Sequence, residues 1–492
     1  MRFPVILDGL GLVLIAVSLA FLGPIWTGVW FHEAMGSLLL AYGIPLILCL
    51  AIGLLLRLQM HESYLDIRPG EAMAMVALAW LAIAAISAIP FLALGVIKSP
   101  VDAFFESMAG WSSCGATVIT GLDHTAKSIL LWRALSQWLG GMGVIVTSVA
   151  ILSRFFGGRA KPLLLQAELP GHTVTRMAPR LEQTARLLWA IYILFTVMGI
   201  AALALVGHFI TPRLGLFDAI CHVFTAIPGG GFGTKDASVG YWDSPAVEFV
   251  LMLVMLAGAI NFTLHYKALH GNWRAYLRDP EFRFFMLVLA FLIVFITGDL
   301  AVRNVYSLGD SLRYSAFHTV SAITTTGFAS ADFAKWPYAS QFMLLIAMIL
   351  GGMMGSTSGA LKMTRVMIVL KSVRVLFQKA IHHQGVFYVK IGNEKLTDEQ
   401  VGHTLTYVIM YFMTLGVGTI VVAMTGMDLV TASSATVSCM GTVGPGLNLV
   451  GPATTYALLS PVAKFTLSII MWLGRLEILG CLLLFHPSML KE

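Results

Sequence analysis

Four stretches of small and hydroxylated residues carry the chemistry this chain is best equipped to do. They read DAFFESMAGWSSCGA (102–116), DAICHVFTAIPGGGF (218–232), YSAFHTVSAITTTGF (314–328) and TASSATVSCMGTVGP (431–445). Aligned without gaps, they share one glycine column: Gly115, Gly231, Gly327 and Gly444. The apolar first part of each is long enough for a half-membrane helix of about 12 residues, which spans about 18 Å. The second part, rich in Gly, Ser and Thr, reads as extended backbone. Such backbone survives at membrane depth only where protein buries it or it lines water. Four copies around an axis would present rings of carbonyls able to replace the hydration shell of a cation. Glycine suits the ring because it reaches conformations barred to other residues and leaves no side chain in the path. The negative C-terminal ends of the half-helices would favour a cation at the centre. The residues just ahead of the glycines are Cys114, Gly230, Thr326 and Val443, so no carboxylate ring stands beside them. Selection by carbonyls, and hence of a monovalent cation, is the natural reading.

Two further features point to control of a path. Arg475 follows Lys464 by 11 positions, about 16 Å deeper along a helix. An ionisable residue at mid-membrane is a functional candidate by default; the alternative is a structural salt bridge or snorkelling. Glu477, two positions on, is on a different helix face. The stretch GGMMGSTSGALK (351–362) gathers Gly351, Gly352, Gly355, Ser356, Thr357, Ser358 and Gly359, which weaken a helix interior. It reads as an unwound loop partly closing a pore below the carbonyl ring, or as close helix packing through the Gly351/Gly355 pair. Glu106, His222 and His318 share one column of the alignment and read as hydrogen-bonded helix residues rather than proton carriers. The glycines of WLGGMG (138–143) read as a packing notch, and 386–396 as a hairpin around Gly392-Asn393. GGGFGTK (229–235) lacks the residue order and strand–helix setting of a phosphate loop. His382-His383 alone is no metal site, and no nucleophile–base pair is evident, so an enzyme is not expected.

Elements that could position these residues must lie in a membrane. The 492-residue chain is 58% hydrophobic and 11% charged, with a mean hydropathy of +0.84, whereas soluble domains carry about 25% charged residues. A soluble multidomain enzyme and a disordered chain are both excluded. The apolar runs are long and unalternated, which removes a β-barrel and leaves an all-α polytopic protein. Ten spans are expected: 9–26, 36–56, 72–97, 134–152, 187–211, 249–266, 284–298, 336–361, 401–427 and an interrupted one at 456–485. With the N-terminus cytoplasmic, the inside set comprises Arg2, Arg57, Arg68, Arg154, Arg159, Lys161, Arg176, Arg180, Arg186, Lys267, Arg274, Arg278, Arg283, Lys362, Arg365, Lys371, Arg374, Lys379, Lys390, Lys395 and Lys491. That is about two-thirds of the 31 Lys and Arg, the expected positive-inside bias. The net charge of +6 is therefore assigned to orientation and not to nucleic acid. Four linkers of about 35 residues then fall outside (99–132, 213–247, 300–335 and 428–463), too long for simple turns. The expected organisation is a two-helix unit (1–67) followed by four helix–pore-loop–helix repeats (68–160, 161–275, 276–385 and 386–492) around a pseudo-fourfold pore. The five cysteines show neither metal-site nor disulfide spacing.

This pattern resembles the Trk/Ktr/HKT superfamily of potassium transporters, and within it the Trk-type membrane subunit of bacteria. WRALSQWLGGMGVIV (132–146), GGF (230–232), TTTGFASADF (324–333), GSTSGALK (355–362), GTVGPGL (441–447) and LGRLEI (473–478) carry the resemblance, in order and over nearly the whole chain. The two helices ahead of the first repeat fit the Trk branch. The resemblance implies a potassium filter with one glycine per repeat (Gly115, Gly231, Gly327 and Gly444) and carbonyls from Cys114, Gly230, Thr326 and Val443. It also implies a gating loop at 351–362 and an arginine barrier at Arg475. Potassium uptake across the bacterial inner membrane is implied, by a homodimer with a cytosolic nucleotide-binding regulatory subunit of the TrkA type. Potassium is the transported ion, and no covalent cofactor and no nucleic acid are expected. Cys114 stands where threonine is usual, and IPGGGF replaces a Ser/Thr-rich stretch. Gly115 argues against the sodium-favouring relatives that carry serine there. The alternative is a cation symporter, or a sodium-permeable member, working by alternating access, in which broken helices also occur.

Overall fold

Uninterrupted apolar sequence gives long helices here, and glycine decides where they cross closely or stop. The computed structural model describes residues 2–59, 69–155, 181–382, 385–392, 394–482 and 484. Arg68, Arg159, Lys161, Arg176, Arg180 and Lys491 of the inside set, His383, Asn393 and the repeat boundaries at 67–68 and 160–161 lie outside the described residues. The chain begins with two apolar helical stretches, Phe3–Trp30 and Met35–Gln59. They cross at Gly11 and Gly53, where a Cβ on either would stand 2.7 Å from the other's carbonyl oxygen.

One order of elements then recurs four times. A long helix comes first: Pro69–Ser87, Leu181–Phe209, Pro280–Val302 and Asp398–Met424. A short helix follows: Pro100–Trp111, Leu216–Ala226, Leu308–Ile323 and Leu429–Met440. Three of the four short helices start on a side-chain cap, from Ser99, Ser307 and Asp428, which satisfies one otherwise orphaned N–H. An extended segment and a 3-10 turn come next, the turns being Leu122–His124, Ser238–Tyr241, Phe333–Lys335 and Tyr456–Leu458. A second helix closes each repeat: Lys127–Phe155, Pro245–Ala259, Tyr338–Leu350 and Pro461–Arg475.

The expectation of ten spans, the last of them interrupted, is corrected at the closing helix of repeat two, while the run 336–361 breaks at the unwound stretch read from its glycines. Among the described residues, six helices are long and apolar enough to cross a membrane, or seven if one bent pair counts as a span. The run 249–266 is that pair: Pro245–Ala259 and Phe262–Leu269 meet at 104°. The run 336–361 stops helically at Leu350, because Gly351 turns left-handed at φ 65°. Pro461–Arg475 ends just before Glu477, left-handed at φ 56°. Averaged hydropathy does not register the break at Ile260–Asn261, because one polar residue stands among apolar neighbours. The short hairpin expected at 386–396 pairs Lys390–Ile391 with Glu394–Lys395 in antiparallel fashion.

Apolar burial divides the repeats into two halves. The first core takes the N-terminal helices with repeats one and four, and the second takes repeats two and three. Partly buried ion pairs join members of the same half, while Arg365–Glu477 and Lys235–Asp123 link the halves. Lys464 of repeat four reaches Asp102 of repeat one at 2.9 Å, and Arg313 of repeat three reaches Glu248 of repeat two at 2.8 Å. Within repeat one, Arg133 and Glu106 form a wholly buried pair at 2.8 Å. Thr117 and the N–H of Val118 also donate to Glu106, and Arg133 reaches Gly233 O at 2.9 Å, so both charges are hydrogen-bonded. Long helices keep large apolar side chains exposed on their outer faces, Trp26 and Val302 among them, as lipid contact requires.

Breaking a buried pair from one side strands a charge and costs about 3–5 kcal/mol. Arg133→Met should therefore lower the unfolding temperature in detergent sharply. Adding Glu106→Gln should recover at least half of that loss, and scanning fluorimetry of the two variants checks it.

Candidate functional site

The four short helices end alike, bond for bond. The residue two ahead of each column glycine is left-handed: Ser113 (φ 54°), Gly229 (71°), Thr325 (61°) and Thr442 (57°). Its N–H bonds three residues back, to Gly110, Ala226, Ala322 and Cys439, at 3.1–3.2 Å. The next N–H bonds five residues back: Cys114 to Ala109, Gly230 to Thr225, Thr326 to Ser321 and Val443 to Ser438, at 2.7–2.8 Å. These are the paired bonds of a Schellman ending, which satisfies terminal carbonyls of a helix and turns the chain sharply out of its axis. After the turn come Gly115, Gly231, Gly327 and Gly444, one from each repeat.

Those segments meet. A Cβ placed on Gly115 would lie 2.8 Å from Val443 O, 3.1 Å from Gly230 O and 3.4 Å from Thr326 O. Three carbonyl oxygens from the other three repeats thus converge beside the first glycine. Side chains are barred from the other glycines as well: a Cβ on Gly231 would run into Thr326 O, one on Gly327 into Val443 O, and one on Gly444 into the backbone of Gly115. Gly231, Gly327 and Gly444 also have φ of 77°, 82° and 117°, which L side chains rarely adopt. The eight residues expected at the ring from sequence are therefore brought together. A cavity opening beside the ring is lined by Gly115, Gly231, Gly327, Thr117, Pro445 and Tyr456, among others.

The unusual IPGGGF segment is also accounted for. Gly229 fills the left-handed position that Ser113, Thr325 and Thr442 occupy elsewhere, Gly231 is the ring glycine, and Gly230 leaves room for Gln137. The column residues expected to be hydrogen-bonded are so: Glu106 as above, His222 to Asp218 O at 2.8 Å, and His318 to Tyr314 O at 2.8 Å and Ala331 O at 3.0 Å.

Residues 351–362 form an irregular loop between Tyr338–Leu350 and Met363–Ile381. Gly351 and Gly355 are both left-handed, so the helix-packing reading of that pair does not apply. The loop lies along the break in repeat two: Met353 N bonds Ala259 O at 2.9 Å, Thr357 N bonds Gly258 O at 3.1 Å, and Phe262 N bonds Gly355 O at 3.2 Å. Its middle touches the ends of the short helices. Thr357 Oγ1 donates to Ile227 O at 2.9 Å, and Gly359 N donates to Thr325 Oγ1 at 3.0 Å. A Cβ on Gly359 would stand 2.6 Å from Gly441 O. Lys362 turns its ammonium back onto the carbonyls of Ser356 and Ser358. Arg475 donates to Thr357 O at 2.8 Å, Gly140 O at 2.9 Å and Gly141 O at 2.7 Å, joining the loop to repeat one. Gly140 and Gly141 are bare because a Cβ on either would enter Trp111 or Pro228, the notch expected of WLGGMG.

Sequence reasoning missed Gln137 and Glu281. Glu281 Oε1 accepts from Met354 N at 2.7 Å and Thr364 N at 3.0 Å, pinning both ends of the loop. The signal for Gln137 was its place four residues after Arg133, on one helix face. Glu281 stood at a helix start in an otherwise apolar run, where a carboxylate looks like an ordinary first-turn residue.

Residues 42–491 match the family of TrkH cation transport proteins. The Trk system potassium uptake protein TrkH of Halomonas elongata is 37% identical over the full length of both chains. That of Escherichia coli is 34% identical, again over the full length of both. The crystal structure of the potassium transporter TrkH from Vibrio parahaemolyticus superposes with a TM-score of 0.88 at 32% identity, covering 99% of this chain and 100% of that one.

The helix endings make a stability prediction. Gly229→Ala would put a Cβ 2.9 Å from Thr324 O in a left-handed residue and should cost about 1–3 kcal/mol. Thr442→Gly removes left-handed strain and a buried hydroxyl without a hydrogen-bond partner among the described residues. It should hold or raise the unfolding temperature, measured side by side with the first variant.

Proposed function

The chain belongs to the TrkH family of cation transport proteins, and we propose that it carries potassium inward through the ring of backbone carbonyls. The observation that carries this reading is the convergence of Val443 O, Gly230 O and Thr326 O beside Gly115. A cation entering the ring exchanges hydrating water for carbonyl oxygens. Cys114, Gly230, Thr326 and Val443, with the glycines that follow them, are the filter. Each short helix directs its C-terminal end, equivalent to about half a negative charge, toward the same place. No side-chain carboxylate is needed, and a single positive charge is the one best matched to neutral oxygens.

Residues 351–362 are the gate in this reading, with Gly351, Gly352, Gly355, Ser356, Thr357, Ser358 and Gly359 forming its flexible body. Support comes from the loop's position against the inner ends of the short helices of repeats two, three and four. Arg475 holds the loop by Thr357 O and places a positive charge below the filter, which opposes a passing cation. The protein is a multi-pass membrane protein. Its setting is the bacterial inner membrane with the N-terminus cytoplasmic, as a homodimer regulated by a cytosolic nucleotide-binding subunit of the TrkA type. A membrane ion transporter of this kind is not an enzyme.

Isotope flux into liposomes, with potassium, rubidium and sodium in competition, tests the ion. Potassium and rubidium should outcompete sodium, and flux strictly tied to protons or sodium would instead favour a symporter. Gly115→Ser puts a side chain among the three oxygens and should raise sodium entry relative to potassium. Arg475→Ala should raise total flux severalfold; unchanged flux in monodisperse protein would remove the barrier role.

A further inference from the structure

Gln137 is a fully buried amide on Lys127–Phe155 that touches the ring directly. Its Nε2 donates to Cys114 O at 3.0 Å and to Gly230 O at 2.8 Å. Its Oε1 accepts from the N–H of Phe232 at 3.0 Å. A backbone N–H can only donate and a carbonyl can only accept, so this network admits one orientation of the amide. Both amide protons are used, on carbonyls from two adjacent repeats. Gly230 is bare for the same reason: a Cβ there would enter the Gln137 side chain.

The other half of the ring is held differently. Val443 O accepts from the N–H of Gly115 at 3.2 Å, and Gly444 O accepts from the Tyr456 hydroxyl at 2.6 Å. Among the described residues, no side-chain amide spans the Thr326 and Val443 carbonyls. Gln137 is thus the one strut among the described hydrogen bonds that ties filter carbonyls of two repeats to a single side chain. We infer that Gln137 is a positioning residue for ion selectivity: it fixes the separation of the Cys114 and Gly230 carbonyls and so the size of cation the ring fits. Gly230 O lies at the convergence point itself, so its position bears on the coordination of the ion. Freed of the amide, these two oxygens can close around a smaller cation. The inference rests on the filter reading above.

The test is the sodium-to-potassium flux ratio of Gln137→Met, which keeps the length of the side chain and loses both donors. The ratio should rise about fivefold, the discrimination of one hydrogen bond of average net strength. Gln341→Met is the control. Gln341 bridges two carbonyls in the same way, Ala334 O at 2.9 Å and Trp336 O at 2.8 Å, away from the ring. It should leave the ratio unchanged while losing the same number of donated bonds, two. If Gln137→Met is not monodisperse, Gln137→Glu replaces it, which keeps the bond to Phe232 and is expected to raise the ratio likewise. An unchanged ratio in folded Gln137 variants, with wild type selective, overturns the role of Gln137 alone. A wild type without preference for potassium overturns the filter reading and this inference together.

Discussion

Backbone that leaves a helix inside a membrane protein must find partners for its N–H groups, and in this chain that requirement organises almost everything else. The Schellman ending meets it with two bonds per short helix, repeated at Ser113–Cys114, Gly229–Gly230, Thr325–Thr326 and Thr442–Val443. With these N–H groups turned back onto their own helix, the carbonyls that follow are left pointing outward. Four such ends brought together give converging oxygens at little extra cost, because their donors are already satisfied. The glycines are a consequence: once the ends converge, there is no room for a Cβ at Gly115, Gly231, Gly327 or Gly444.

The same requirement explains why the closing helices differ between repeats. Lys127–Phe155 runs unbroken, whereas repeats two and three each lose helical bonds, at Ile260–Asn261 and at 351–362. The two breaks satisfy one another through Met353, Thr357 and Phe262, much as neighbouring strands would. Either break by itself would leave orphaned donors in a low-dielectric setting, at about 1–3 kcal/mol each. The bent helix of repeat two is therefore the complement of the loop in repeat three.

Much of this was legible in the sequence. The glycine column, the long linkers and the small-residue run at 351–362 located the ring and the loop, because composition changes sharply at those places. The continuous span at 249–266 was misread because one polar residue, Asn261, beside Ile260 is too small a signal to show that the helix breaks there. The role of IPGGGF became plain only when each glycine could be set against a separate neighbour: left-handed geometry for Gly229, the Gln137 amide for Gly230 and Thr326 O for Gly231. The last two constraints arise between repeats about a hundred residues apart, beyond the reach of any local pattern.

The ways in which charge is spent separate what is fixed from what can move. Repeats one and four, and repeats two and three, are joined by Lys464–Asp102 and Arg313–Glu248. Pairs of this kind cost about 3–5 kcal/mol to break from one side when buried. The middle of 351–362 meets its neighbours mainly through neutral bonds from Thr357 and Gly359, each worth about 0.5–1.5 kcal/mol net. Its two ends are held together on one oxygen of Glu281. Besides the Lys362 ammonium, which belongs to the stretch itself, a charged bond reaches that middle from Arg475 to Thr357 O, worth about 1.5–3 kcal/mol. Under the proposed gate reading, Arg475 serves as the latch of the loop rather than as a free-standing obstacle, and its barrier to a cation lasts only while the latch is closed.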